Sequence, residues 1–304
     1  MSIERRIYVS MPGDQWLAPE QNCLKWAVVD HIERLGYTPE IFFNPRSKRG
    51  LASGKAFTPS EAESVAKRCC GAAIIGLPRW TFPITGGEVK IASEFCHYEG
   101  ALARSFGLPT LILRQVDILR RVVFDDHFSP YIGDFPADAG PEWLRTREFR
   151  TAFQHWKNQL NDRRDIFLGY CGSSTKTAQK IKSYLKNELG VRVLDWRTDF
   201  SPGLTVLEQI QDAALRCSAG VFLFTQDDKL ANDSSTTAKA VPRDNVVFEA
   251  GYFTSIKDRH NVLIVLESGA KMPADLGGKV YAWLKDQSSI RSIRQALRKF
   301  VSSL

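Results

Sequence analysis

The sequence predicts an α/β protein made of two tandem domains, each a doubly wound parallel sheet. Two observations support this prediction. Each half of the 304-residue chain alternates short apolar runs with helical patterns, which is typical of parallel sheets covered by helices on both faces. The same order of elements also occurs twice, which indicates a duplication. We expect the domains to cover residues 1–160 and 161–304.

Strands in the first half are predicted where short runs are rich in β-branched and aromatic residues, or are apolar throughout. Helices are predicted where apolar residues recur every three to four positions and a glycine or a turn follows. Gly, Pro, Ser and basic residues predict loops at 44–58 and 78–87. The predicted strands cover residues 5–10, 37–43, 71–77 and 108–113, and the predicted helices cover 22–35, 60–70 and 93–103.

The second half repeats this order and ends with a further helix. Loops are predicted at residues 197–203 and 226–240. The last helix alternates apolar and basic residues, and we assign it to closing the second sheet rather than to a membrane surface. The predicted strands cover residues 165–170, 191–196, 219–225 and 261–266, and the predicted helical segments cover 177–189, 205–217, 242–253 and 289–304.

The region between the halves, residues 117–162, is rich in aromatic residues. It contains an apolar loop at 128–136 and a predicted helix at 142–160, whose aromatic residues recur near one face. Such a face more often packs against another domain than binds a ligand. We therefore expect this helix to pack between the two domains.

Local identities support the duplication and point to two acidic residues. Both acids, Glu99 and Glu249, are expected between the central strand and the next parallel strand, near the carboxyl ends of the strands. Open α/β sheets bind their ligands there. The matching segments are 35–37 with 189–191, 66–69 with 214–217, and 98–100 with 248–251.

Glu249 lies in an otherwise apolar run, which makes an unpaired carboxylate there costly. Such a group needs a partner, a raised pKa or a ligand. The alternative is an ordinary helix start, with Asp244 or Asn245 as the N-cap and Glu249 exposed on the outer side of the turn.

Composition restricts the class of ligand. A net charge of +7 and a pI near 9.1 suit an anionic ligand such as a nucleotide. The basic residues are spread without a block of five, so we expect no direct DNA binding. The six cysteines form no CxxC pair and predict no metal site. No signal peptide or long apolar run is present, which predicts a cytoplasmic protein that does not enter a membrane.

Residues 165–284 resemble the TIR-like domain of bacterial nucleotide-binding proteins that accompany cyclic-nucleotide sensors in anti-phage systems, of the CBASS effector type. The resemblance implies a flavodoxin- or TIR-like sheet. The segments that carry it are IFLGY at 166–170, GLTVLE at 203–208, FTQDD at 224–228, PRDNVVFE at 242–249 and MPADLGG at 272–278.

The first half is similar to a more divergent TIR domain or to a nucleoside deoxyribosyltransferase-like domain. It departs from both families in its long basic loop and in an insert at 86–88. The segments that carry this similarity are YVS at 8–10, the Ser93, Phe95, Cys96 and Glu99 pattern, and EGALA at 99–103 followed by Gly107 and Pro109.

The resemblance of the second half implies cleavage of the nicotinamide–ribose bond of NAD, in an effector of bacterial antiviral defence. NAD would be the substrate, and no cofactor is expected. Glu249 would be the catalytic acid, because a carboxylate stabilises the positive charge that develops on the ribose. The resemblance also implies activation by homo-oligomerisation. The first domain would be regulatory or sensing, with a cyclic nucleotide or a partner protein as the trigger.

Several other residues of the second half are candidates for contacting the substrate. A turn after the first strand can present backbone N–H groups to phosphate, although Gly and Ser are common in ordinary turns. Aromatic residues after the second strand can stack on a base or can be plain core. The substrate-binding candidates are Cys171, Gly172, Ser173, Trp196, Phe200, Arg243 and Asn245.

Two alternatives remain open from the sequence. In the first, Glu99 is the catalytic residue, and the first domain is an N-glycosidase or deoxyribosyltransferase that acts on nucleosides. In the second, the protein is a non-catalytic nucleotide-sensing module. Comparing Glu99→Gln with Glu249→Gln separates the two candidate acids.

Overall fold

A computed structural model of the chain describes residues 3–42, 57–129, 131–200, 203–229, 240–257, 259–276 and 281–304. The chain divides into two compact units, Arg5–Arg163 and Arg164–Leu304, the second of which includes Met1–Glu4. Much of the loops predicted at 44–58 and 226–240 lies outside the described residues, as do residues 43, 201–202 and 277–278 of other predicted segments.

The first unit is a parallel sheet with helices on both faces and one antiparallel hairpin. Its sheet has the order β2-β1-β3-β6-β7, and every neighbouring pair is parallel. Strands β4 and β5 pair with each other as an antiparallel hairpin outside this sheet, and Lys90 of β5 also forms an isolated bridge with Ile118. The strands are β1 Arg6–Ser10, β2 Thr38–Glu40, β3 Gly71–Gly76, β4 Pro78–Ile84, β5 Gly87–Ala92, β6 Thr110–Gln115 and β7 Ile132–Phe135, and the helices are α1 Pro19–Arg34, α2 Pro59–Arg68, α3 Glu94–Ser105 and α4 Arg147–Asp162.

The second unit repeats this architecture. Its sheet has the order β14-β13-β10-β8-β9, again parallel throughout, and β11 pairs with β12 as a short antiparallel hairpin. The strands are β8 Arg164–Tyr170, β9 Val193–Asp195, β10 Cys217–Phe224, β11 Asp228–Lys229, β12 Ala240–Val241, β13 Val262–Glu267 and β14 Ala282–Leu284, and the helices are α5 Thr175–Leu189, α6 Trp196–Asp199, α7 Val206–Arg216, α8 Asp244–Lys257 and α9 Arg294–Ser303.

Counted along each unit, both sheets have the strand order 2-1-3-4-5, so the predicted fold class is confirmed. The order reverses between β1 and β3 in the first unit, and between β8 and β10 in the second. Ligands of doubly wound sheets bind in the crevice at this reversal, beyond the carboxyl ends of the strands.

Local sequence explains where the main elements begin and end. Every residue of β3 is buried, as expected for an apolar run covered on both faces. Helix α7 begins with a capping box, in which Thr205 and Glu208 satisfy each other's backbone N–H groups. Helix α5 ends at Gly190, whose φ of +66° is a left-handed conformation that glycine adopts without strain.

Several predicted segments differ from the structure. Residues 197–199 of the loop predicted at 197–203 belong to the short helix α6, and residues 228–229 of the loop predicted at 226–240 form β11. Residues 78–87, predicted as a loop, form most of the β4–β5 hairpin, and residues 132–135 of the predicted apolar loop form the edge strand β7. The helix predicted at 142–160 becomes a short 3₁₀ turn, Pro141–Arg145, followed by α4. Its aromatic face packs into the core of the first unit beside α1, so the expectation of packing between domains was wrong.

The last helix closes the second sheet, as the sequence predicted. Ile293, Leu297 and Phe300 are buried in the core of the second unit, against α5. Within the described ranges, no helix combines the length and the apolar character that crossing a bilayer requires.

Candidate functional site

Glu249 lies on α8, which follows the β11–β12 hairpin and covers one face of the second sheet. Apolar residues before and after it, Val246 and Phe253, are buried in the same core cluster. The carboxylate lies over Gly169, the penultimate residue of β8. A Cβ atom on Gly169 would be only 2.8 Å from Glu249 Oε2, so the glycine leaves room for the acid.

The Glu249 carboxyl is buried, with 8% of the residue exposed. Its Oε2 has no hydrogen-bond partner among the described residues. Burial raises the pKa of Glu249 from 4.5 to about 8, because removing the carboxylate from water disfavours its charged form. The exposed alternative considered from the sequence is therefore wrong. Asp244 and Asn245, the two N-cap candidates, are the first two residues within α8.

The turn after β8 is connected to the start of α8 through Asp227. Ser173 Oγ donates to Asp227 Oδ1 at 2.7 Å, and the backbone N–H of Arg243 donates to Asp227 Oδ2 at 3.2 Å. Arg243 Nη1 also donates to Asp228 Oδ1 at 2.9 Å. The structure thus brings two of the predicted substrate-binding residues, Ser173 and Arg243, into one hydrogen-bonded network.

The other candidates of that turn lie beside this network. Cys171 is half-buried, and Gly172 is exposed at the start of a 3₁₀ turn that leads into α5. Asn245 is exposed in the first turn of α8. Their contacts to a substrate remain a prediction.

Trp196 and Phe200 are both half-buried and packed against the core of the second unit. Trp196 Nε1 donates to the backbone oxygen of Tyr170 at 3.2 Å. The Phe200 ring stacks on Phe167, with centroids 6.1 Å apart. These contacts fix the orientation of both rings, and their stacking on a base remains a prediction.

Glu99 occupies the corresponding place in the first unit, on α3 after the β4–β5 hairpin. It is 5% exposed. Tyr8 donates its hydroxyl to Glu99 Oε1 at 2.9 Å, and Ser10 Oγ donates to Oε2. Burial raises the pKa of Glu99 to about 7, although the hydrogen bonds from Ser10 and Tyr8 oppose this rise by stabilising the carboxylate.

Glu99 lines a cavity of about 720 Å³ in the first unit. This volume is in the range of small-molecule sites, which combine apolar walls with a few polar groups. Its aromatic lining residues are Trp16, Trp26, Phe42, Phe57 and Phe95, and its polar and charged ones are Ser10, Asp14, Gln15, Lys25, Arg79, Ser93 and Glu99.

Sequence reasoning missed most of this cavity. Tyr8 and Ser10 were noted only as part of a motif, although alternate residues of a strand share one face and so could have been paired with the acid. Arg79 lies in a hairpin that was predicted as a loop, and Trp16 lies in a segment to which no element was assigned. No periodic pattern connects either residue with Glu99. Within the described residues, no group of three or more His, Cys, Asp or Glu side chains could hold a metal ion.

Comparison with known proteins identifies the second unit. Residues 165–286 match the model of the family described as "CAP12/Pycsar effector protein, TIR domain". These residues are a TIR domain. The match covers the strands and helices from β8 to β14, including Glu249 and Gly169.

Bacterial proteins similar to the TIR domain share one name. The chain is 28% identical over 121 residues to CD-NTase-associated protein 12 of Niabella drilacis, covering 38% of each chain. It is 33% identical over 117 residues to the protein of that name from Flavobacterium daejeonense, covering 37% of this chain and 35% of the relative. The chain therefore spans well under half the length of these curated relatives.

More distant similarities were also found. Protein tirC of Dictyostelium discoideum is 23% identical over 150 residues, covering 46% of this chain and 73% of that protein. Among solved structures, a LacI family transcriptional regulator from Arthrobacter sp. FB24 in complex with lactose aligns over 98% of this chain and 89% of the regulator. Its 12% identity and TM-score of 0.24 carry no argument about fold or function.

Proposed function

We propose that the TIR domain cleaves the N-glycosidic bond between nicotinamide and ribose of NAD, with Glu249 as the catalytic residue. One observation carries this proposal. Glu249 is a buried carboxyl group near the carboxyl end of β8, and its Oε2 has no hydrogen-bond partner in the part of the chain that the structure describes. A buried acid without a partner is costly, and ligand binding gives it a role.

The chemistry of the bond suits a single buried carboxylate. Positive charge develops on the ribose as the bond to nicotinamide lengthens, and a nearby carboxylate stabilises that charge more strongly in a dry site than in water. With a pKa of about 8, the Glu249 carboxyl is mostly protonated at pH 7 before substrate binds. The cationic nicotinamide ring would lower this pKa and favour the charged form.

The neighbouring residues supply the remaining contacts in this proposal. Backbone N–H groups of Cys171, Gly172 and Ser173, before α5, would bind the diphosphate. Arg243 and Asn245, at the start of α8, would contact phosphate or ribose. Trp196 and Phe200 would lie along the aromatic rings.

Purified full-length protein incubated with NAD tests this proposal, with nicotinamide, ADP-ribose and cyclic products separated by chromatography. We expect Glu249→Gln to reduce the rate by about 100-fold or more. Glu99→Gln, the matched change in the other unit, should leave NAD cleavage intact. The value of kcat/KM should rise as the pH increases toward about 8, because the charged carboxyl is the active form. Full activity of Glu249→Gln would exclude this acid as essential.

We further propose that the protein is an effector of bacterial antiviral defence that is activated by homo-oligomerisation. The description of the matched family as an effector and the names of the two bacterial relatives support this setting. Light scattering recorded alongside the NAD assay tests the assembly requirement. Cleavage by a species that stays monomeric would contradict it.

A second candidate function concerns Glu99, and the cavity beside it favours this function. A carboxylate held by two hydroxyl groups at an aromatic cavity is suited to an N-glycosidase or deoxyribosyltransferase that acts on nucleosides. Release of free base from nucleosides, lost in Glu99→Gln and kept in Glu249→Gln, would support it. Nucleoside binding without any product would instead favour a sensing module.

A further inference from the structure

The charged residues that line the first unit's cavity are unequally neutralised. Lys25 Nζ lies 2.6 Å from Asp14 Oδ1 and also donates to the backbone oxygen of Pro12 at 2.7 Å. Trp26 Nε1 donates to the same Asp14 oxygen at 3.2 Å. Lys25 and Asp14 therefore neutralise each other and brace the turn that follows β1.

Arg79, on β4, is the second positively charged residue that lines the cavity, and its charge is less neutralised than that of Lys25. The centre of its guanidinium group lies 5.5, 5.2 and 5.6 Å from the rings of Trp16, Trp80 and Phe95. Rings at these distances attract a cation through their negative faces and hold its plane in a defined orientation. The guanidinium group is thus positioned without using many of its hydrogen-bond donors.

The polar contacts of Arg79 use only some of the N–H donors of its guanidinium group. Nη1 donates to Ser93 Oγ at 3.3 Å. Nη1 also forms an ion pair with Glu94 Oε1 at 3.6 Å, which is longer than a hydrogen bond, and the Glu94 side chain is more than half exposed, so solvent weakens this pair. The buried Nε has no hydrogen-bond partner among the described residues. A ligand with acceptor oxygens and negative charge would accept hydrogen bonds from the terminal nitrogens of the guanidinium group.

We propose that this cavity binds a nucleoside monophosphate, with Arg79 contacting the phosphate group and Glu99 accepting hydrogen bonds from ribose hydroxyl groups. This inference deepens the second candidate function by naming the ligand class, and it depends on the same cavity being a ligand site. Each part of the ligand matches a part of the lining. The aromatic walls suit a planar base, the carboxylate suits hydroxyl donors, and the guanidinium suits an anion.

Arg79 would therefore determine specificity, selecting phosphorylated ligands over neutral nucleosides. A guanidinium contact to phosphate combines two hydrogen bonds with charge attraction, which is worth about tenfold or more in affinity. In this proposal Glu99 binds the hydroxyl groups, and the rings of Trp26, Phe42 and Phe57 provide base contacts away from the stack of Arg79 on Trp16 and Phe95. Removal of Arg79 should therefore weaken binding of the monophosphate much more than binding of the nucleoside.

Isothermal titration calorimetry of the full chain tests this inference. The probes are AMP, GMP, CMP and UMP, each compared with its nucleoside, and products are followed in parallel by chromatography. We expect at least one monophosphate to bind about tenfold or more tightly than its nucleoside. Arg79→Gln should remove this preference and leave nucleoside affinity within about twofold. Binding is the readout, so neither NAD cleavage nor turnover at Glu99 enters the result.

A matched control and a second variant complete the test. Arg104 is also stacked on an aromatic ring, with its guanidinium centre 5.1 Å from Phe128, and it does not line this cavity. Arg104→Gln should keep the preference for the monophosphate. Arg79→Lys keeps the charge but not the planar fork, so it should bind with intermediate affinity. Equal affinity for nucleoside and monophosphate, an equal loss of both in Arg79→Gln, or no binding of any monophosphate at millimolar concentration would overturn the inference.

Discussion

The two buried glutamates lie at corresponding places in the two units but have different neighbours. Glu99 lies on α3, after the β4–β5 hairpin, and accepts hydrogen bonds from Tyr8 and Ser10 of β1. Glu249 lies on α8, after the β11–β12 hairpin, and packs over Gly169 of β8, which has no side chain to donate a hydrogen bond. The backbone construction is shared, and the environment of the acid is not.

Strand register shows which residues make the difference. Tyr8 and Ser10 of β1 pair with residues 72 and 74 of β3, and Phe167 and Gly169 of β8 pair with residues 220 and 222 of β10. The two hydroxyl groups of the first unit therefore stand where the second unit has a phenyl ring and a hydrogen atom. The fold buries both acids and thereby raises the pKa of each, to about 7 for Glu99 and about 8 for Glu249, and in the first unit two side chains of the first strand oppose this rise.

The largest expected effect is on the pH dependence of stability. Since the folded-state pKa of Glu249 lies above 4.5, the folded protein retains a proton that the unfolded chain loses, and the free energy of unfolding falls as the pH rises from about 4.5 to about 8. The difference between the two pKa values corresponds to a fall of roughly 3 to 5 kcal/mol in the free energy of unfolding. Glu249→Gln should remove this loss. Compared with the wild-type protein at the same pH, the variant should therefore be more stable at pH 8 than at pH 5, as measured by urea unfolding.

The same measurement on Glu99→Gln sharpens the comparison. The pKa of Glu99, about 7, predicts a smaller fall in the stability of the wild-type protein, of roughly 2 to 3.5 kcal/mol, between about pH 4.5 and about pH 7. Equal pH dependence of the two variants would mean that the hydroxyl groups of Tyr8 and Ser10 do not distinguish the sites.

A smaller effect is expected from adding a methyl group under Glu249. In Gly169→Ala, the new Cβ would lie 2.5 Å from Phe222 Cδ1 and 2.8 Å from Glu249 Oε2, so neighbouring atoms must move. We expect a loss of about 1–3 kcal/mol in the free energy of unfolding. Gly172→Ala is the control, because no atom of the described residues lies within 4 Å of its Cβ position. Unchanged stability of Gly169→Ala would show that the site relaxes easily.

Removing the hydroxyl groups of the first unit should make its acid resemble Glu249. Tyr8→Phe and Ser10→Ala each remove a donor that stabilises the carboxylate, so the pKa of Glu99 should rise further. Each change should also cost about 1 kcal/mol of stability. Carbon-13 NMR titration of the carboxyl group measures the pKa, and Tyr98→Phe, at an exposed position on α3, is the control. A pKa that stays at about 7 in both variants would contradict the assignment.

The smallest effect is expected at Arg243. Its ion pair with Asp228 is exposed on both sides, so Arg243→Gln should change the free energy of unfolding by no more than about 0.5 kcal/mol. A raised KM for NAD with unchanged stability would support a substrate contact for Arg243. A loss of several kcal/mol would show instead that it holds the start of α8 in place.

Periodic and repeated features were the predictable part of this molecule. The apolar run of β3, the helix around Glu99 and their repetition in the second half were enough to predict both sheets, because burial on two faces imposes continuous apolar runs. The edge strand β7 was missed because its residues, Ile132–Phe135, lie in a segment with Pro and Gly. An edge strand needs only one paired neighbour, so its sequence signal is weak.

The first unit's cavity was beyond prediction for a different reason. It combines a turn carrying Trp16, a hairpin carrying Arg79 and the helix of Glu99, and only tertiary structure brings these together. The hairpin itself had a usable signal, since Trp80, Phe82 and Ile84 alternate before Gly86 and Gly87. The burial of Glu249 could be predicted from the apolar residues next to it in the sequence. The hydrogen-bond partners of Glu99 could not, because Tyr8 and Ser10 are distant in the sequence and only the fold brings them to the acid.

The β4–β5 hairpin leaves the sheet after β3 and returns to α3 at nearly the same point, with Pro78 paired to Ala92. The outer part of the hairpin can therefore change in length while its two ends, after β3 and before α3, stay in place. The second unit has an insertion at the same location, between β10 and α8. Two copies of one scaffold can in this way acquire different ligands by exchanging a single surface segment while each keeps its buried acid.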